Sequence, residues 1–225
     1  MNKNIVIISR DCMGYQFYKK NDIKYNTITI GNYMHLTDFF YFCSNLDECK
    51  NQQITLKEKD GYVIGEINIK NKPINIHFVH DNNKQIVGEK YKRRLSRFKL
   101  IENPTLYIFI NDLDLTNFNE SFMKYINKML KIKNTKIVFF CNINTFNSIG
   151  NIDNTIFEQI LIIIYPPGVK YGTCIYNYCE SENLLNNIFT DKGIIQSKSS
   201  YHNMWCCHKL TTKMHTQMNK DFNNS

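Results

Sequence analysis

The chain has 225 residues, 43% of them hydrophobic, and it carries a formal net charge of +8 at pH 7. With only 4 prolines and 9 glycines, this composition excludes a fibrous or a disordered protein, and one α/β domain is the default for this length. The positive charge favours an anionic partner, such as a phosphorylated cofactor, a nucleotide-sugar, a nucleic acid or an acidic glycan.

The cysteines favour a reduced protein without a metal site. The chain contains 8 of them but no C-x-x-C pair, and the adjacent Cys206 and Cys207 suit neither zinc geometry nor an ordinary disulfide. The first apolar stretch is too short for a secretory signal, and the longest one, Ile160 to Tyr165, is far below the ~20 residues of a membrane span. These observations predict a cytoplasmic location.

The first element is a buried strand. Residues Asn4 to Ser9 read N-I-V-I-I-S, a β-branched run that predicts a strand buried on both faces. From Met13 onwards the aromatic spacing is helical. Cys12 would then lie at the first turn of a helix, where free backbone N–H groups and the helix dipole favour the thiolate. We therefore expect a nucleophilic Cys12, with a small buried core residue as the alternative.

The following elements alternate between strand and helix. Two short apolar segments flank Asp60-Gly61, a pair of residues that predicts a β-hairpin over 54–65. Strands are predicted at 74–79, 105–110, 135–141 and 160–164, and helices at 38–46, 88–100 and 118–130. This order predicts an α/β fold, in which helices flank a mainly parallel sheet and the hairpin lies at its edge. Residues 1–200 would form a single catalytic domain and 201–225 a partly disordered tail.

Histidines follow or precede several of these elements. His80 and Asp81 come directly after the 74–79 strand. Functional groups in an open α/β sheet gather beyond the carboxyl ends of the strands, so Cys12 and His80 would share one crevice if their strands are neighbours. His80 could act as a base, with Asp81 or another carboxylate orienting its ring. His35 could line the same pocket or cap a helix, and His80-Asp81 could simply begin a turn.

The helix at 88–100 is basic. Lys90, Arg93, Arg94 and Arg97 follow the three-and-four spacing of one helix face, and arginine side chains suit phosphate groups. The stripe predicts a pyrophosphate or 3′-phosphate site, and a solvated helix surface is the alternative. The chain contains neither a nucleic-acid-binding motif nor a glycine-rich phosphate loop, which argues against a nucleic-acid partner, a kinase and a dinucleotide enzyme.

Five short segments, in the order given next, carry a family resemblance. They read I-I-S-R-D-C-M-G-Y-Q-F-Y-K-K, Y-N-T-I-T-I-G with D-F-F-Y-F-C-S-N-L, I-H-F-V-H-D, and E-K-Y-K-R-R-L-S-R-F. Over about its first 140 residues the chain resembles a bacterial family of unassigned function labelled as exopolysaccharide-biosynthesis proteins. It is also similar to a sister group labelled papain-like cysteine peptidases. The wider set includes capsule-biosynthesis acetyltransferases that hold coenzyme A on a papain-like scaffold.

The resemblance implies a papain-like or Rossmann-like three-layer fold. It also implies a reactive pair formed by Cys12 and His80, and a phosphate site on Arg93, Arg94 and Arg97. Asp81 and His35 are assigned to the catalytic group, and Lys90 and Gly14 to the cofactor site. The chain departs from the family pattern where Asp11 replaces an asparagine and Ile28 a proline.

Three functions remain open at this point. The first is an acyltransferase that moves acetyl from acetyl-coenzyme A to an amino or hydroxyl group of a sugar or nucleotide-sugar. The second is a cysteine hydrolase, a peptidase or amidase, that uses the same cysteine and histidine. The third is a non-catalytic binding module in which both residues are structural.

Overall fold

The computed structural model describes residues 4–112, 120–148, 160–169, 172–181, 183–185, 188 and 193–196. The strands are β1 (Ile5–Ser9), β2 (Thr55–Lys59), β3 (Tyr62–Ile69), β4 (Lys72–Phe78), β5 (Thr105–Asn111), β6 (Thr135–Asn142), β7 (Ile160–Tyr165) and β8 (Gly193–Gln196). The helices are α1 (Met13–Lys20), α2 (Leu36–Cys43), α3 (Leu46–Cys49), α4 (Lys84–Leu100), α5 (Glu120–Leu130), α6 (Ile143–Ser148) and α7 (Gly172–Ser181). The predicted tail at 201–225 lies outside the described residues.

One sheet is mainly parallel and has the strand order β1-β5-β6-β7-β8. Its strand β1 pairs in parallel with β5, with Ser9 opposite Phe109, and β7 pairs in parallel with β8. Every residue of β1 and of β7 is buried, as expected for strands that helices cover on both faces. The predicted α/β class and its mainly parallel sheet are confirmed.

A second sheet is antiparallel, with the order β2-β3-β4. The predicted hairpin is present, and Asp60 and Gly61 take the positive φ angles of its turn, 52° and 82°. Its predicted place and that of the next strand are wrong, because β3 and β4 pair with each other outside the parallel sheet. The physical reason is a second tight turn, in which Lys70 and Asn71 have φ angles of 49° and 64°. A two-residue connection permits only antiparallel pairing.

The chain divides into two compact units, the first made of residues 1–110 and 114–138, the second of 111–113 and 139–225. The first unit contains β1 to β4 and α1 to α5, while β5 and β6 contribute residues to both units. The single-domain organisation of residues 1–200 stays a prediction. Across the described ranges, no helix combines the length and the apolar character that a membrane span requires.

In the second unit a buried polar cluster fixes the ends of its strands. The Asp112 carboxylate accepts hydrogen bonds from the Tyr165 hydroxyl and from the backbone and side-chain amides of Asn142, at 2.8 and 2.6 Å. Both carboxylate oxygens therefore have partners, which is the condition under which a buried charge is tolerated. These hydrogen bonds give the cluster a structural role.

Candidate active site

Cys12 occupies the tight connection between β1 and α1. Its neighbour Asp11 is 8% exposed, and the Asp11 carboxylate accepts hydrogen bonds from the Met13 backbone N–H at 2.9 Å and the Ser9 hydroxyl at 3.3 Å. The side chain of Asp11 thus satisfies one of the free N–H groups at the start of α1. Cys12 itself is partly exposed, whereas the other five cysteines of the described ranges are buried.

His80 lies in the turn after β4. The Asp81 backbone N–H donates to Phe78 at 3.1 Å, and the Asp81 carbonyl accepts from the Val63 N–H at 3.3 Å. The Asp81 carboxylate lies 2.8 Å from the ammonium group of Lys90. These contacts show that Asp81 anchors the turn that carries His80, and the prediction that Asp81 or another carboxylate orients the imidazole stays a prediction.

The structure brings Cys12 and His80 together. The Cys12 Sγ lies 2.9 Å from the His80 Nε2, a distance at which a proton can pass between the two atoms. A thiol beside an imidazole nitrogen is the arrangement that a nucleophilic cysteine requires. This contact is the central geometric feature of the site.

The reason for this proximity differs from the predicted one. We expected both preceding strands to lie in one parallel sheet, where the two residues would meet if those strands were neighbours, but β1 pairs with β5 and β4 belongs to the antiparallel sheet. The connection runs through two consecutive residues. The Met34 N–H donates to the Arg10 carbonyl at 2.9 Å, and Tyr33 exchanges two backbone hydrogen bonds with His77, of 2.9 and 2.8 Å. This bridging segment, Tyr33–Met34, links the end of β1 to β4.

The protonation state of the thiol corrects another expectation. Burial, together with the nearby Asp11 charge, raises the pKa of Cys12 to about 12, although its position at a helix N-terminus predicted a lowered value. The main physical reason is that the thiolate would lose its hydration in this buried position, and the Asp11 carboxylate, which already occupies the helix end, adds a repulsion between negative charges. At neutral pH the site therefore contains a protonated thiol, which needs a base to react, and His80 Nε2 is within reach.

His35 lies in an aromatic cluster beside the bridging segment. Its ring centroid is 5.3 Å from that of Tyr33 and 5.2 Å from that of His77, and its Nδ1 is 3.4 Å from the Tyr33 hydroxyl. Burial lowers the pKa of His77, the neighbouring His35 and Lys59 act in the same direction, and Asp38 opposes them. His35 thus contacts the residues of this cluster, and its place in the catalytic group stays a prediction.

Two arginines of the predicted phosphate stripe hold a loop of the protein. Arg94, which is 5% exposed, donates to the Ile30 carbonyl at 2.8 Å, and Arg97 donates to the Tyr25 carbonyl at 3.0 Å. Burial lowers the pKa of Arg94 to about 10. Both side chains therefore fix the 25–30 loop against α4, and neither presents its whole guanidinium group to a ligand.

The remaining residues of the predicted cofactor site, Lys90, Arg93 and Gly14, have surroundings that differ from one another. Lys90 is buried against Asp81, whereas Arg93 is exposed. Gly14 lies against β1, where a Cβ atom would come within 2.7 Å of the Ser9 Cβ. The close approach of α1 to β1 accounts for this glycine without a ligand.

The sequence did not indicate the contact between Arg10 and Tyr33 near the site, nor the ion pair of Lys90 with Asp81. The Arg10 guanidinium lies 5.5 Å from the centre of the Tyr33 ring, and Arg10 is 1% exposed. No sequence motif marks Tyr33, because its role depends on backbone hydrogen bonds to residues far away in the chain. Among the described residues, no group of three His, Cys, Asp or Glu side chains is arranged to hold a metal ion.

Comparison with known proteins gives a family and one relative. A family model described as a domain of unknown function, DUF1919, matches residues 1–149, which include the whole site described above. An uncharacterized protein of Haemophilus influenzae (strain ATCC 51907 / DSM 11121 / KW20 / Rd) is 27% identical over 114 residues. That match covers 50% of this chain and 52% of the relative, so the chain spans about half the length of the protein that it matches.

Proposed function

Since the chain belongs to the DUF1919 family, a domain of unknown function, we infer its activity from the site alone and propose acyl transfer through a thioester on Cys12. The observation that carries this proposal is the 2.9 Å separation of the Cys12 Sγ and the His80 Nε2. Because the thiol is protonated at neutral pH, the imidazole acts as a general base and no preformed thiolate is needed.

The proposed reaction has two half-reactions. In the first, the Cys12 Sγ attacks the acyl carbonyl carbon and forms a C–S bond while His80 Nε2 accepts the thiol proton. His80 then gives that proton to the leaving nitrogen, oxygen or sulfur, as its bond to the acyl carbon breaks. In the second, His80 takes a proton from the acceptor as it attacks the thioester, and the proton returns to the departing sulfur.

Water is the acceptor that we favour, so that the enzyme is a cysteine hydrolase, an amidase or peptidase with a papain-like pair. The support comes from the residues that were predicted to bind coenzyme A. Lys90, Arg94 and Arg97 already have partners inside the protein, and they do not fit a phosphate site. A hydrolase needs no such site.

Transfer of acetyl from acetyl-coenzyme A to a sugar or nucleotide-sugar, in cytoplasmic polysaccharide synthesis, is the second candidate. The net charge of +8 and the exposed side chains of Lys92 and Arg93 support it, because they suit anionic substrates. Coenzyme A would then have to meet these exposed residues, and we derive no step through it.

The test uses an activated ester of a small carboxylic acid as acyl donor, with intact-mass measurement of the full chain. We expect one acyl group on Cys12, none on that residue in Cys12→Ala, and acylation slowed roughly 10²–10⁴-fold in His80→Ala. Release of the acyl group to water alone supports the hydrolase, whereas release accelerated by coenzyme A or an amino sugar, and weakened by Arg93→Ala, supports the transferase. If Cys12 is not acylated, or if His80→Ala acylates at the wild-type rate, the proposal is wrong and the binding module gains support.

A further inference from the structure

The reactive pair depends on how the two sheets are held near the site. Cys12 follows β1 of the parallel sheet, and His80 follows β4 of the antiparallel sheet. Two side chains on different sheets keep a 2.9 Å separation only if the backbone segments before them are fixed relative to each other. General-base catalysis is sensitive to this distance, because a displacement of about 1 Å can cost roughly 100-fold in rate.

The bridging segment makes this connection close to both reactive residues. Its backbone bonds reach Arg10, two positions before Cys12, and His77, three positions before His80. Each of the three bonds is between 2.8 and 2.9 Å long, within the range of a well-formed N–H···O contact. Tyr33 and Met34 thus hold the backbone close to the two turns that carry Cys12 and His80.

The side chain of Tyr33 adds a second connection between the same two residues. The Arg10 guanidinium lies 5.5 Å from the centre of the Tyr33 ring, a cation–π distance. The imidazole of His77 packs against the ring in an edge-on contact, with the centroids 5.7 Å apart. Tyr33 therefore contacts Arg10 and His77 with its ring, and its own strand-like bridge to His77 fixes the backbone.

We propose that Tyr33 is a positioning residue for the proposed reaction, and that its ring and backbone set the distance between the Cys12 thiol and the His80 imidazole. This inference rests on the proposed function, since it gives meaning to the distance between these two groups. A ring that merely filled space would contribute to the free energy of unfolding without affecting the transfer of a proton from sulfur to nitrogen.

Tyr62 offers a matched control. Its ring also packs against His77, with centroids 5.9 Å apart, but its backbone belongs to β3 and pairs with β2 within the antiparallel sheet. Removing either ring deletes a ring contact with His77, and removing the Tyr33 ring also deletes its contact with His35. Only the loss of the Tyr33 ring also removes the contact with Arg10.

The experiment measures the alkylation rate of Cys12 by iodoacetamide between pH 5 and 10, with the unfolding temperature of each variant. In the wild type we expect a neutral-pH rate that depends on His80 and is lost in His80→Ala. Tyr33→Ala should lower that rate by about tenfold or more, Tyr33→Phe should restore it to within about threefold, and Tyr62→Ala should keep the wild-type profile. Tyr33→Leu replaces Tyr33→Ala if the latter does not fold, because it fills more of the space but lacks the π face.

The outcomes separate the two proposals. If Tyr33→Ala or Tyr33→Leu is folded and keeps the wild-type profile, or if Tyr62→Ala changes it equally, the positioning role is wrong and the reactive pair is unaffected. If the wild-type profile already equals that of His80→Ala, the proposed function itself fails, whatever the Tyr33 variants do.

Discussion

The Lys90 Nζ lies 2.8 Å from the Asp81 Oδ1, and the two side chains are only 10% and 12% exposed. The pair connects α4 to the turn that carries His80. A buried ion pair gains little over an apolar pair of the same shape, but the loss of one partner leaves the other charge buried and uncompensated. This asymmetry makes the pair a sensitive test of how the turn is held.

We expect Lys90→Met or Asp81→Asn alone to lower the free energy of unfolding by about 3–5 kcal/mol, and the double variant to lose much less than the sum. Lys92→Met is the control, since Lys92 is exposed on the same helix and should stay within about 0.5 kcal/mol. Denaturant unfolding measures all four. Equal small losses in the single variants and the control would show that the ion pair does not anchor the turn.

The charge of Asp11 should add to the effect of burial on the pKa of the Cys12 thiol. Its carboxylate is one cause of the raised pKa of Cys12, so Asp11→Asn, which keeps an oxygen for the Met13 N–H, should lower that pKa from about 12. A lower pKa means more thiolate at a given alkaline pH, and alkylation of Cys12 should become faster there. Asp47→Asn is the control, because the Asp47 side chain is 96% exposed. An unchanged pH–rate profile in Asp11→Asn would contradict the assignment.

Two glycines give opposite predictions for the same substitution. Gly14→Ala would place a Cβ 2.7 Å from the Ser9 Cβ, so α1 would have to move from β1, at a cost of about 1–3 kcal/mol. Gly88→Ala would place a Cβ 3.5 Å from Leu56 inside α4, an ordinary contact, and should be neutral or stabilise by up to about 1 kcal/mol through helix propensity. Thermal unfolding compares them, and an equal effect in both would refute the close-packing role of Gly14.

Replacing tyrosine by phenylalanine should also have different effects on the free energy of unfolding at two buried positions, Tyr18 and Tyr91. The Tyr18 hydroxyl accepts the Ile7 N–H at 2.8 Å and donates to the Asn26 side chain, so Tyr18→Phe should cost about 1–3 kcal/mol. The Tyr91 hydroxyl is buried and has no hydrogen-bond partner among the described residues, so Tyr91→Phe should be neutral or slightly stabilising. The difference between the two free energies of unfolding is the measurement. A larger loss for Tyr91→Phe would mean that its hydroxyl has a partner after all.

The sequence predicted the juxtaposition at the site from an incorrect premise. The positions of Cys12 and His80 directly after apolar runs were informative, since each residue does follow a strand. The sheet to which β4 belongs could not be predicted from the sequence, because it depends on a tight turn in which Lys70 and Asn71, neither of them a glycine, adopt positive φ angles. Asn and Lys are frequent throughout this chain, so their presence at 70 and 71 does not indicate a turn.

The cationic helix shows where pattern reasoning ends. Helical spacing groups Lys90, Arg93, Arg94 and Arg97, but it does not say which of them meets a carboxylate or a carbonyl of the same chain. Those partners, Asp81 and two loop carbonyls, are set by tertiary packing. The acidity of Cys12 was misjudged for a related reason, since the helix dipole argument left out the burial of the thiol and, second to it, the neighbouring Asp11 charge.

Cys12 and His80 follow strands of two different sheets, and this has a consequence for the protein during its synthesis and folding. Cys12 and His80 are 68 positions apart, so Cys12 is synthesised well before its base, and the turn that carries the base follows a strand that is held by pairing with β3. A contact of such sequence separation requires a long loop to close before it can form. A chain whose two sheets have not assembled would therefore lack the imidazole beside the Cys12 thiol, so the general base of the proposed mechanism is in place only in the native state.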